Sequence, residues 1–403
     1  MDSTKLFAVV AVVIVLAGIY FAWQWYVEIS GKDNLLVQGK TYFVYFKNMS
    51  EEQMKTELKK SGGVLRYTYQ NMSFISAKLS EKNIEGLKNN KKVESVEEAV
   101  IAKVDFAPSN IVNLGTNNTD EVIPWGIGEI GAQGAWKKSK GSFARIAIIG
   151  TGISLGHSEL AANTAWAVNV LEKGPALDGQ GSGTHAAGII AADENGIGII
   201  GVAPEAKLYV IKACDDKGEC LADALAKAIE SARTGPDGKI ETKGDNAKII
   251  LITASSELTL GKAFEAELGA ALDEGMLVVG VRGGEAVGYP AGYPKVYSAI
   301  PTGFNFTLPS GSPAEAWSAV GYAPGKEIYS TYVNASFAIA SGNLEASAHF
   351  TGAAALVIAA KPEMSPLKAG GILVNSSSFI NNTNRSMGTD FSIINASAAV
   401  DWK

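Results

Sequence analysis

The first 26 residues differ from the rest of the chain in their hydrophobic pattern. Residues 6–26 contain no charged side chain and end in three aromatic residues, Trp23, Trp25 and Tyr26. A helix of this length crosses the roughly 30 Å hydrocarbon core of a bilayer, with aromatic rings at the interface. The pattern predicts a membrane anchor within residues 1–30, and a cleaved secretory signal is the alternative. Both interpretations place the following residues outside the cytoplasm.

Residues 38–104 alternate short strands with two helical segments. The polar and apolar positions predict strands at 40–47, 64–69, 72–79 and 93–104. Ser50 and Ser80 each begin a polar sequence that is typical of a helix N-terminus. The order of these elements predicts a small α+β domain of the split βαβ type. Residues 105–120 are polar and contain Pro, Asn and Gly, which is typical of a linker.

Residues 121–403 follow a different pattern, in which apolar strands alternate with helical stretches. Strands are predicted at 145–149, 207–212, 248–253 and 276–281, and helices at 222–233, 264–274 and 346–360. Strands without polar positions are typical of a parallel sheet that is covered on both faces. We therefore expect an α/β domain with a parallel sheet between helical layers.

Composition narrows the range of functions. The chain of 403 residues is 47% hydrophobic and carries a net charge of −6, without a basic segment interleaved with aromatic residues. This balance argues against nucleic-acid binding. Nine Asn-x-Ser/Thr triplets agree with export and glycosylation, although such triplets also arise by chance. They begin at Asn48, Asn71, Asn117, Asn305, Asn334, Asn375, Asn381, Asn384 and Asn395.

The chain has only two cysteines, Cys214 and Cys220, which lie six positions apart in a turn-like segment. In an oxidising compartment this spacing predicts a disulfide across a short loop. Two free thiols are the alternative. A metal site is the least favoured interpretation because no histidine lies nearby.

Four segments of the larger domain form motifs in a fixed order. They are the segment Ile-Ala-Ile-Ile-Gly-Thr-Gly-Ile followed by His-Ser-Glu-Leu (146–160), Gly-Ser-Gly-Thr-His-Ala-Ala-Gly (181–188), the Gly-rich segment 195–209, and Ser-Ala-His-Phe-Thr-Gly-Ala-Ala (347–354). Together they resemble the subtilisin-like serine proteases over about residues 121–400. The resemblance implies a subtilisin-like fold, and residues 38–104 resemble the inhibitory propeptide of that family.

The resemblance also locates the catalytic positions. Peptide hydrolysis by this family needs a serine nucleophile, a histidine base, an aspartate that orients the histidine, and an asparagine amide that stabilises the oxyanion. At the aspartate, histidine, asparagine and serine positions this chain has Gly150, Ser182, Gly284 and Leu344. The chain is therefore identified as an inactive member of the family, a pseudoprotease with a binding or structural role.

No other residue is an evident replacement for these groups. The only histidines, His157, His185 and His349, fall on family positions that neighbour the site. Ser182 and Ser347 are hydroxyls without an identifiable base, and such hydroxyls are weak nucleophiles. Two alternatives remain open: a serine endopeptidase with an unrecognised nucleophile, and a subunit of a surface layer or filament.

Two further features are implied by the resemblance. A structural calcium ion would be bound by oxygens of Glu121, Glu159, Asp193, Asn195, Ile197 and Ile199, and an ordinary Gly-rich turn is the alternative. A substrate cleft would lie along Thr253, Ala254 and Ser255 and near Cys220, where an extended peptide adds as a strand. Because no nucleophile is present, we expect an uncleaved chain whose own propeptide tail, near 104–118, is one candidate occupant of the cleft. An external peptide or protein is the other candidate partner.

Overall fold

The computed structural model describes residues 39–112, 120–240, 244–284, 287–306, 320–380 and 391–402. Within these ranges the chain forms two compact units, the first up to Glu98 and the second from Ala99 onward, with Tyr69–Asn71 grouped with the second. The predicted membrane segment, residues 6–26, lies outside the described ranges and stays a prediction. No helix in the described ranges is long and apolar enough to cross a membrane.

The first unit is a four-stranded antiparallel sheet with two helices. Its elements are β1 (Lys40–Phe46), α1 (Glu51–Ser61), β2 (Val64–Thr68), β3 (Phe74–Leu79), α2 (Glu81–Lys88) and β4 (Val93–Glu98). The strand order β2-β3-β1-β4 is that of the predicted split βαβ arrangement. Both helices begin with a capping box, at Ser50 and Ser80, which satisfies backbone N–H groups of the first turn.

The segment predicted as one strand at 93–104 forms two strands with different partners. β4 ends at Glu98 and pairs with β1, whereas β5 (Ile101–Lys103) belongs to the second unit and pairs with Glu219–Leu221. Periodicity could not reveal this break, because the apolar residues 99–102 follow directly on β4 without a Gly or Pro, and the pairing partner is set by tertiary contacts. Within the predicted linker 105–120, β6 (Asn110–Val112) is a strand, and residues 113–119 lie outside the described ranges.

The second unit is an α/β domain. Its further elements are α3 (Trp125–Glu129), α4 (Ala132–Ala135), β7 (Arg145–Gly150), α5 (Ser158–Ala161), β8 (Thr164–Asn169), α6 (Ser182–Ala191), β9 (Lys207–Lys212), β10 (Glu219–Leu221), α7 (Ala222–Thr234), β11 (Ile249–Ile252), α8 (Lys262–Asp273), β12 (Leu277–Gly280), β13 (Ser298–Thr302), β14 (Val320–Pro324), β15 (Ile328–Tyr332), β16 (Ser336–Ala340), α9 (Asn343–Ala360), α10 (Pro366–Asn375), β17 (Ser378–Ile380), β18 (Phe391–Ile393) and α11 (Ala396–Val400). A short 3₁₀ helix spans Phe304–Phe306.

The main sheet of this unit has the strand order β12-β11-β7-β9-β8, and every pair is parallel. The side chains of β11 and β12 are fully buried, as expected for strands covered on both faces. The prediction of a parallel sheet with helices is thereby confirmed. Smaller sheets complete the unit: β13-β14-β18-β17, β15-β16-β6 and β10-β5.

The main sheet places the carboxyl ends of β7 and β11 next to each other, beside the predicted aspartate position Gly150. β7 and β11 are adjacent and in register, with Ile149 opposite Ile252. The residues that follow these strands therefore lie side by side at one edge of the sheet. The first residues of α6 and α9 supply Ser182 and Leu344, and Gly284 lies in the loop that follows β12.

Candidate functional site

The aspartate position, Gly150, is the last residue of β7. Thr253 follows the neighbouring strand, and its backbone N–H and Oγ1 both donate to the carbonyl oxygen of Ile149, at 3.0 and 3.1 Å. A Cβ atom added to Gly150 would lie 2.4 Å from Thr253 Oγ1, closer than real Cβ contacts. Thr253 therefore occupies the space that an aspartate side chain at position 150 would need.

The histidine position, Ser182, begins α6 and is fully buried. Its Oγ lies 2.9 Å from Thr151 Oγ1, which also accepts a hydrogen bond from the Gly183 N–H. The partner of the Ser182 hydroxyl is therefore another hydroxyl, not a base. Ser347, the second hydroxyl considered, is also fully buried, and its Oγ has no hydrogen-bond partner within the described ranges.

The nucleophile position, Leu344, is the second residue of α9 and has 0% exposure, as part of the main hydrophobic core. Gly284, at the oxyanion position, is exposed, and a Cβ added there would meet nothing within 4 Å. The side-chain amide of Asn343 faces the same loop, and its Nδ2 donates to the carbonyl oxygens of Arg282 and Gly283 at 3.3 and 3.4 Å. Its N–H groups are thus directed to the loop that leads into Gly284.

All three histidines are buried and bonded to the backbone. The ring of His157 contacts the carbonyl oxygen of Ser336 at 3.0 Å, that of His185 the carbonyl of Ala338 at 3.2 Å, and that of His349 the carbonyl of Glu345 at 2.9 Å. Burial lowers the pKa of each ring, to about 4 for His185 and His349. The rings are therefore neutral at pH 7 and are poor proton acceptors.

A buried carboxyl group at this centre was missed by sequence reasoning. Glu345 follows Leu344, and its Oε1 lies 3.5 Å from Nδ1 of His185. Among the described residues neither atom has a hydrogen-bond partner at normal distance. Because Nε2 of His185 faces a carbonyl oxygen, it carries the ring proton, and Nδ1 is left as an acceptor. Glu345 must then hold a proton to face it.

Burial raises the pKa of Glu345 to about 7, with a further contribution from the charge of Asp105. The direction agrees with a protonated carboxyl group opposite Nδ1 of His185. One signal in the sequence could have identified this group, since Glu345 is the only Asp, Glu, Lys or Arg in the 18 residues of α9. A lone carboxyl group in a buried helix is costly unless it is neutral or paired.

The chain's own segment after Ala99 passes through the predicted cleft. β5 pairs antiparallel with β10, and Lys103 exchanges two backbone hydrogen bonds with Ser255, at 2.8 and 2.9 Å. The Val104 N–H donates to the carbonyl oxygen of Gly218 at 2.9 Å. The segment therefore pairs as a strand with β10 on one side and through a single antiparallel bridge with Ser255 on the other, the backbone pairing that β-augmentation uses.

Beyond Val104 the same segment reaches the catalytic positions. The ring of Phe106 packs 5.3 Å from that of His185 and 6.3 Å from that of Tyr332, measured between centroids. Asp105 is close enough to Glu345 to influence its charge. Asp105 and Phe106 therefore lie beside α9 and α6, the helices that contain Leu344 and Ser182. Of the predicted cleft residues, Ser255 contacts the segment through its backbone, while Ala254 is buried.

The two cysteines support the strand that binds this segment. Cys214 and Cys220 form a disulfide, and both are fully buried. Cys220 lies at the centre of β10 and pairs with Ala102 of β5. Asp215 Oδ1 accepts hydrogen bonds from the N–H groups of Lys217 and Glu219 and so shapes the enclosed turn. The disulfide thus closes the loop that leads into the cleft strand.

At the predicted calcium site, the carboxylates of Glu121 and Glu159 contact the backbone of the loop 193–199. Glu121 Oε1 accepts hydrogen bonds from the N–H groups of Asn195 and Gly196, at 2.9 and 3.1 Å. Glu159 Oε2 accepts from the Ile199 N–H at 3.3 Å, and burial raises the pKa of Glu159. The donors are all oxygens, which fits calcium chemically. No group of three His, Cys, Asp or Glu side chains suited to a metal occurs in the described ranges, so backbone carbonyls would have to complete a shell.

Comparison with known proteins shows which family this sequence resembles. A profile described as the subtilase family matches residues 141–390. Subtilisin NAT of Bacillus subtilis subsp. natto is 29% identical over 361 residues, covering 85% of this chain and 87% of that protein. An alkaline protease of Alkalihalobacillus alcalophilus is 29% identical, covering 83% of this chain and 80% of that protein.

A third relative and one solved structure extend the comparison. The minor extracellular protease Epr of Bacillus subtilis (strain 168) is 29% identical over 77% of this chain and 46% of its own length. The crystal structure of fervidolysin from Fervidobacterium pennivorans superposes with a TM-score of 0.73 at 21% identity, covering 91% of this chain and 61% of that chain. The fold is thus subtilisin-like. The subtilase profile matches more than half of the 403 residues of this chain, and the chain therefore belongs to the subtilase family.

Proposed function

We propose that this protein is a catalytically inactive subtilase that uses its cleft to bind an extended peptide. The observation that carries the proposal is Leu344, a fully buried leucine at the nucleophile position of the family. An aliphatic side chain has no atom that can attack a carbonyl carbon. Gly150, Ser182 and Gly284 remove the other three groups on which the chemistry depends.

The surroundings of these positions support the same conclusion. Thr253 fills the space beside Gly150, and the Ser182 hydroxyl is paired with the Thr151 hydroxyl. The three histidines are buried, bonded to backbone carbonyls and, because of their lowered pKa values, neutral. A displaced nucleophile would therefore lack a histidine base.

The occupant that we propose is the chain's own segment from Val100 to Val112, left uncut. Its support is the strand pairing of β5 with β10, the double hydrogen bond between Lys103 and Ser255, and the pairing of β6 with β16. Backbone pairing of this kind tolerates any side chain, so a competing peptide of similar length could displace the segment. The role is then binding of a peptide or protein partner.

Hydrolysis of unfolded casein by the purified protein, with and without calcium, tests the proposal. We expect no release of peptides, no labelling by a serine-directed phosphonate, and an intact chain across residues 104–106 by mass spectrometry. An active subtilase purified and assayed in parallel is the control for the assay. Hydrolysis that co-purifies with the protein and is blocked by the phosphonate would instead establish an endopeptidase with an unrecognised nucleophile.

Calcium at the 193–199 loop is proposed as a stabilising ion, without a part in chemistry. Glu121, Glu159 and Asn195 would contribute side-chain oxygens, and Asp193, Ile197 and Ile199 would contribute carbonyl oxygens. Thermal unfolding in calcium, in magnesium and in chelator tests this assignment. At a calcium concentration of 100 times Kd the gain is about 2.7 kcal/mol. The same thermal unfolding midpoint in all three solutions would rule out a calcium site at this loop. Glu159→Gln should abolish any stabilisation by calcium.

An extracytoplasmic location is proposed on two grounds. The disulfide between Cys214 and Cys220 favours an oxidising compartment. A relative carries the word extracellular in its name. Protease treatment of intact cells should digest the protein, and full protection that disappears on lysis would place it inside the cytoplasm. Immunoblotting of the medium would distinguish a cleaved signal from the predicted anchor in residues 1–30.

A further inference from the structure

Asn-x-Ser/Thr triplets are more frequent in this chain than its composition explains. Serine and threonine make up 51 of the 403 residues, and 22 residues are asparagine. Placement by chance would put a hydroxyl residue two positions after about one asparagine in eight, or about three of the 22. Nine asparagines have this arrangement, and none has proline between the two residues. Such triplets are acceptors for N-linked sugars in exported proteins.

The structure places four of these asparagines at tight turns. They are Asn48 after β1, Asn71 between β2 and β3, Asn305 after β13, and Asn334 between β15 and β16, with φ angles of 47°, 60°, 57° and 57°. All four are exposed. Each side chain thus projects from a bend in the chain, where a bulky group has room.

Turn geometry accounts for asparagine at these sites but not for the residue two positions later. Asparagine adopts the left-handed conformation more readily than other residues with a Cβ atom, so turns alone would select it. The turn itself places no such demand on the second residue after it, and only in the Asn48 triplet does a helix cap, Ser50 of α1, account for the hydroxyl. Even so, every asparagine with positive φ in the described ranges begins an Asn-x-Ser/Thr triplet.

The side-chain amides of these four residues are also available for reaction. Within the described ranges none of their Nδ2 atoms donates a hydrogen bond, and each side chain faces solvent. Asn395 begins a triplet as well, but its Nδ2 donates to Ser378 Oγ at 2.6 Å and its Oδ1 caps α11 through the Ala398 N–H. Asn395 is therefore an internal control, with the motif present and the amide engaged.

We propose that Asn48, Asn71, Asn305 and Asn334 carry N-linked sugars. In the transfer, Nδ2 forms a bond to the anomeric carbon of a sugar bound to a lipid diphosphate. The bond between that carbon and the diphosphate oxygen breaks, the diphosphate leaves, and Nδ2 loses one proton. No oxidation or reduction is involved. The proposal concerns surface chemistry and is independent of whether the cleft hydrolyses peptides.

Glycopeptide mass spectrometry of the protein purified from the cells that make it tests the proposal. Fragmentation that preserves the sugar bond assigns each modification to one asparagine. We expect sugar on the four turn asparagines in a larger fraction of molecules than on Asn395. Unmodified asparagine at all four sites, or equal occupancy at Asn395, would overturn the proposal.

Two variants at Ser73 distinguish an effect of losing the triplet from an effect of changing the local fold. Ser73→Ala removes the hydroxyl that the Asn71 triplet needs, while Ser73→Thr retains it, and Ser73 itself is exposed. We expect the mass of sugar at Asn71 to disappear in the first variant and to persist in the second. Persistence in Ser73→Ala would contradict N-linked transfer at this site.

Discussion

Two neighbouring regions of the second unit differ in what they retain. The four residues predicted for the catalytic positions, Gly150, Ser182, Gly284 and Leu344, lack the side chains that peptide hydrolysis by this family uses. The cleft strands, meaning β10 and the backbone of Ser255, still hold an extended segment through regular hydrogen bonds. On the proposed function, one region has lost its chemistry while the other keeps its geometry.

The difference follows from which atoms each task uses. Hydrolysis requires four specific side chains in mutual contact, so a change at any one of them removes most of the rate. Strand addition uses backbone N–H and C=O groups, which every residue except proline supplies in full. Side-chain substitution can therefore abolish catalysis in a subtilase and leave peptide binding intact. The four predictions below test this separation.

Restoring the catalytic positions should have the largest effect. Gly150→Asp, Ser182→His, Gly284→Asn and Leu344→Ser together leave Thr253 in the way of the new carboxylate, whose Cβ would lie 2.4 Å from Thr253 Oγ1. Adding Thr253→Ala removes that oxygen. A misplacement of about 1 Å costs about 100-fold in rate, so we expect the fivefold variant to exceed the fourfold variant by about that factor in kcat/KM on a chromogenic peptide.

The restored variant should also cut itself between Val104 and Phe106, where Asp105 faces Glu345 and the Phe106 ring packs on His185. N-terminal sequencing of the product would locate the cut. The wild type, incubated in parallel, is the control for contaminating proteases. Equal kcat/KM values for the fourfold and fivefold variants would mean that Thr253 moves aside for the new aspartate and does not block the site.

The buried pair of Glu345 and His185 gives the next effect. The pKa of Glu345 is raised to about 7 in the folded protein, against an ordinary value of 4.5. The folded protein then retains a proton that the unfolded chain releases, so stability falls as pH rises from about 4.5 to about 7. Glu345→Gln keeps an N–H donor for Nδ1 of His185 and does not titrate. We expect it to match the wild type near pH 4.5 and to exceed it by on the order of 3 kcal/mol at pH 7 and above.

Urea unfolding of both proteins between pH 4.5 and 9 measures this difference. His185 titrates in both proteins, and Asp105 is present in both, so their contributions cancel in the comparison. Asp105→Asn should lower the pKa of Glu345 and shift the wild-type curve to lower pH, because the charge of Asp105 raises that pKa. A difference that is constant over the whole pH range would show that Glu345 does not hold the proton.

Sequence reasoning predicted the parts of this molecule that depend on local pattern. The parallel strands were found because their residues are continuously apolar, whereas the assignment of Leu344 to the nucleophile position rests on the family resemblance of the adjoining segment 347–354 and stays a prediction. The break between β4 and β5 was missed because pairing partners are set by tertiary contacts that periodicity does not encode. The roles of Glu345 and Thr253 were missed because burial and close approach depend on three neighbouring elements.

Removal of the disulfide tests how the cleft strand is supported. Cys214→Ala with Cys220→Ala opens a loop with a sequence separation of 6, for which the entropic stabilisation is about 2 kcal/mol. We expect the urea midpoint to fall accordingly, with casein hydrolysis absent as in the wild type. The wild type treated with reductant should unfold at nearly the same midpoint. An unchanged midpoint in the variant would mean that β10 needs no covalent support.

The smallest effect should come from the segment in the cleft. Lys103→Pro removes the N–H that donates to Ser255, whereas Lys103→Ala retains it and loses the same exposed side chain. One backbone hydrogen bond contributes about 0.5 to 1.5 kcal/mol, so the Ser255 amide should exchange its hydrogen up to about 10 times faster in the proline variant than in the alanine variant. Binding of an added peptide with the sequence of residues 99–106 should strengthen by a similar factor, because its intramolecular competitor is weakened. Identical exchange in both variants would mean that the segment does not occupy the cleft in solution, and the retained geometry would then serve an external partner alone.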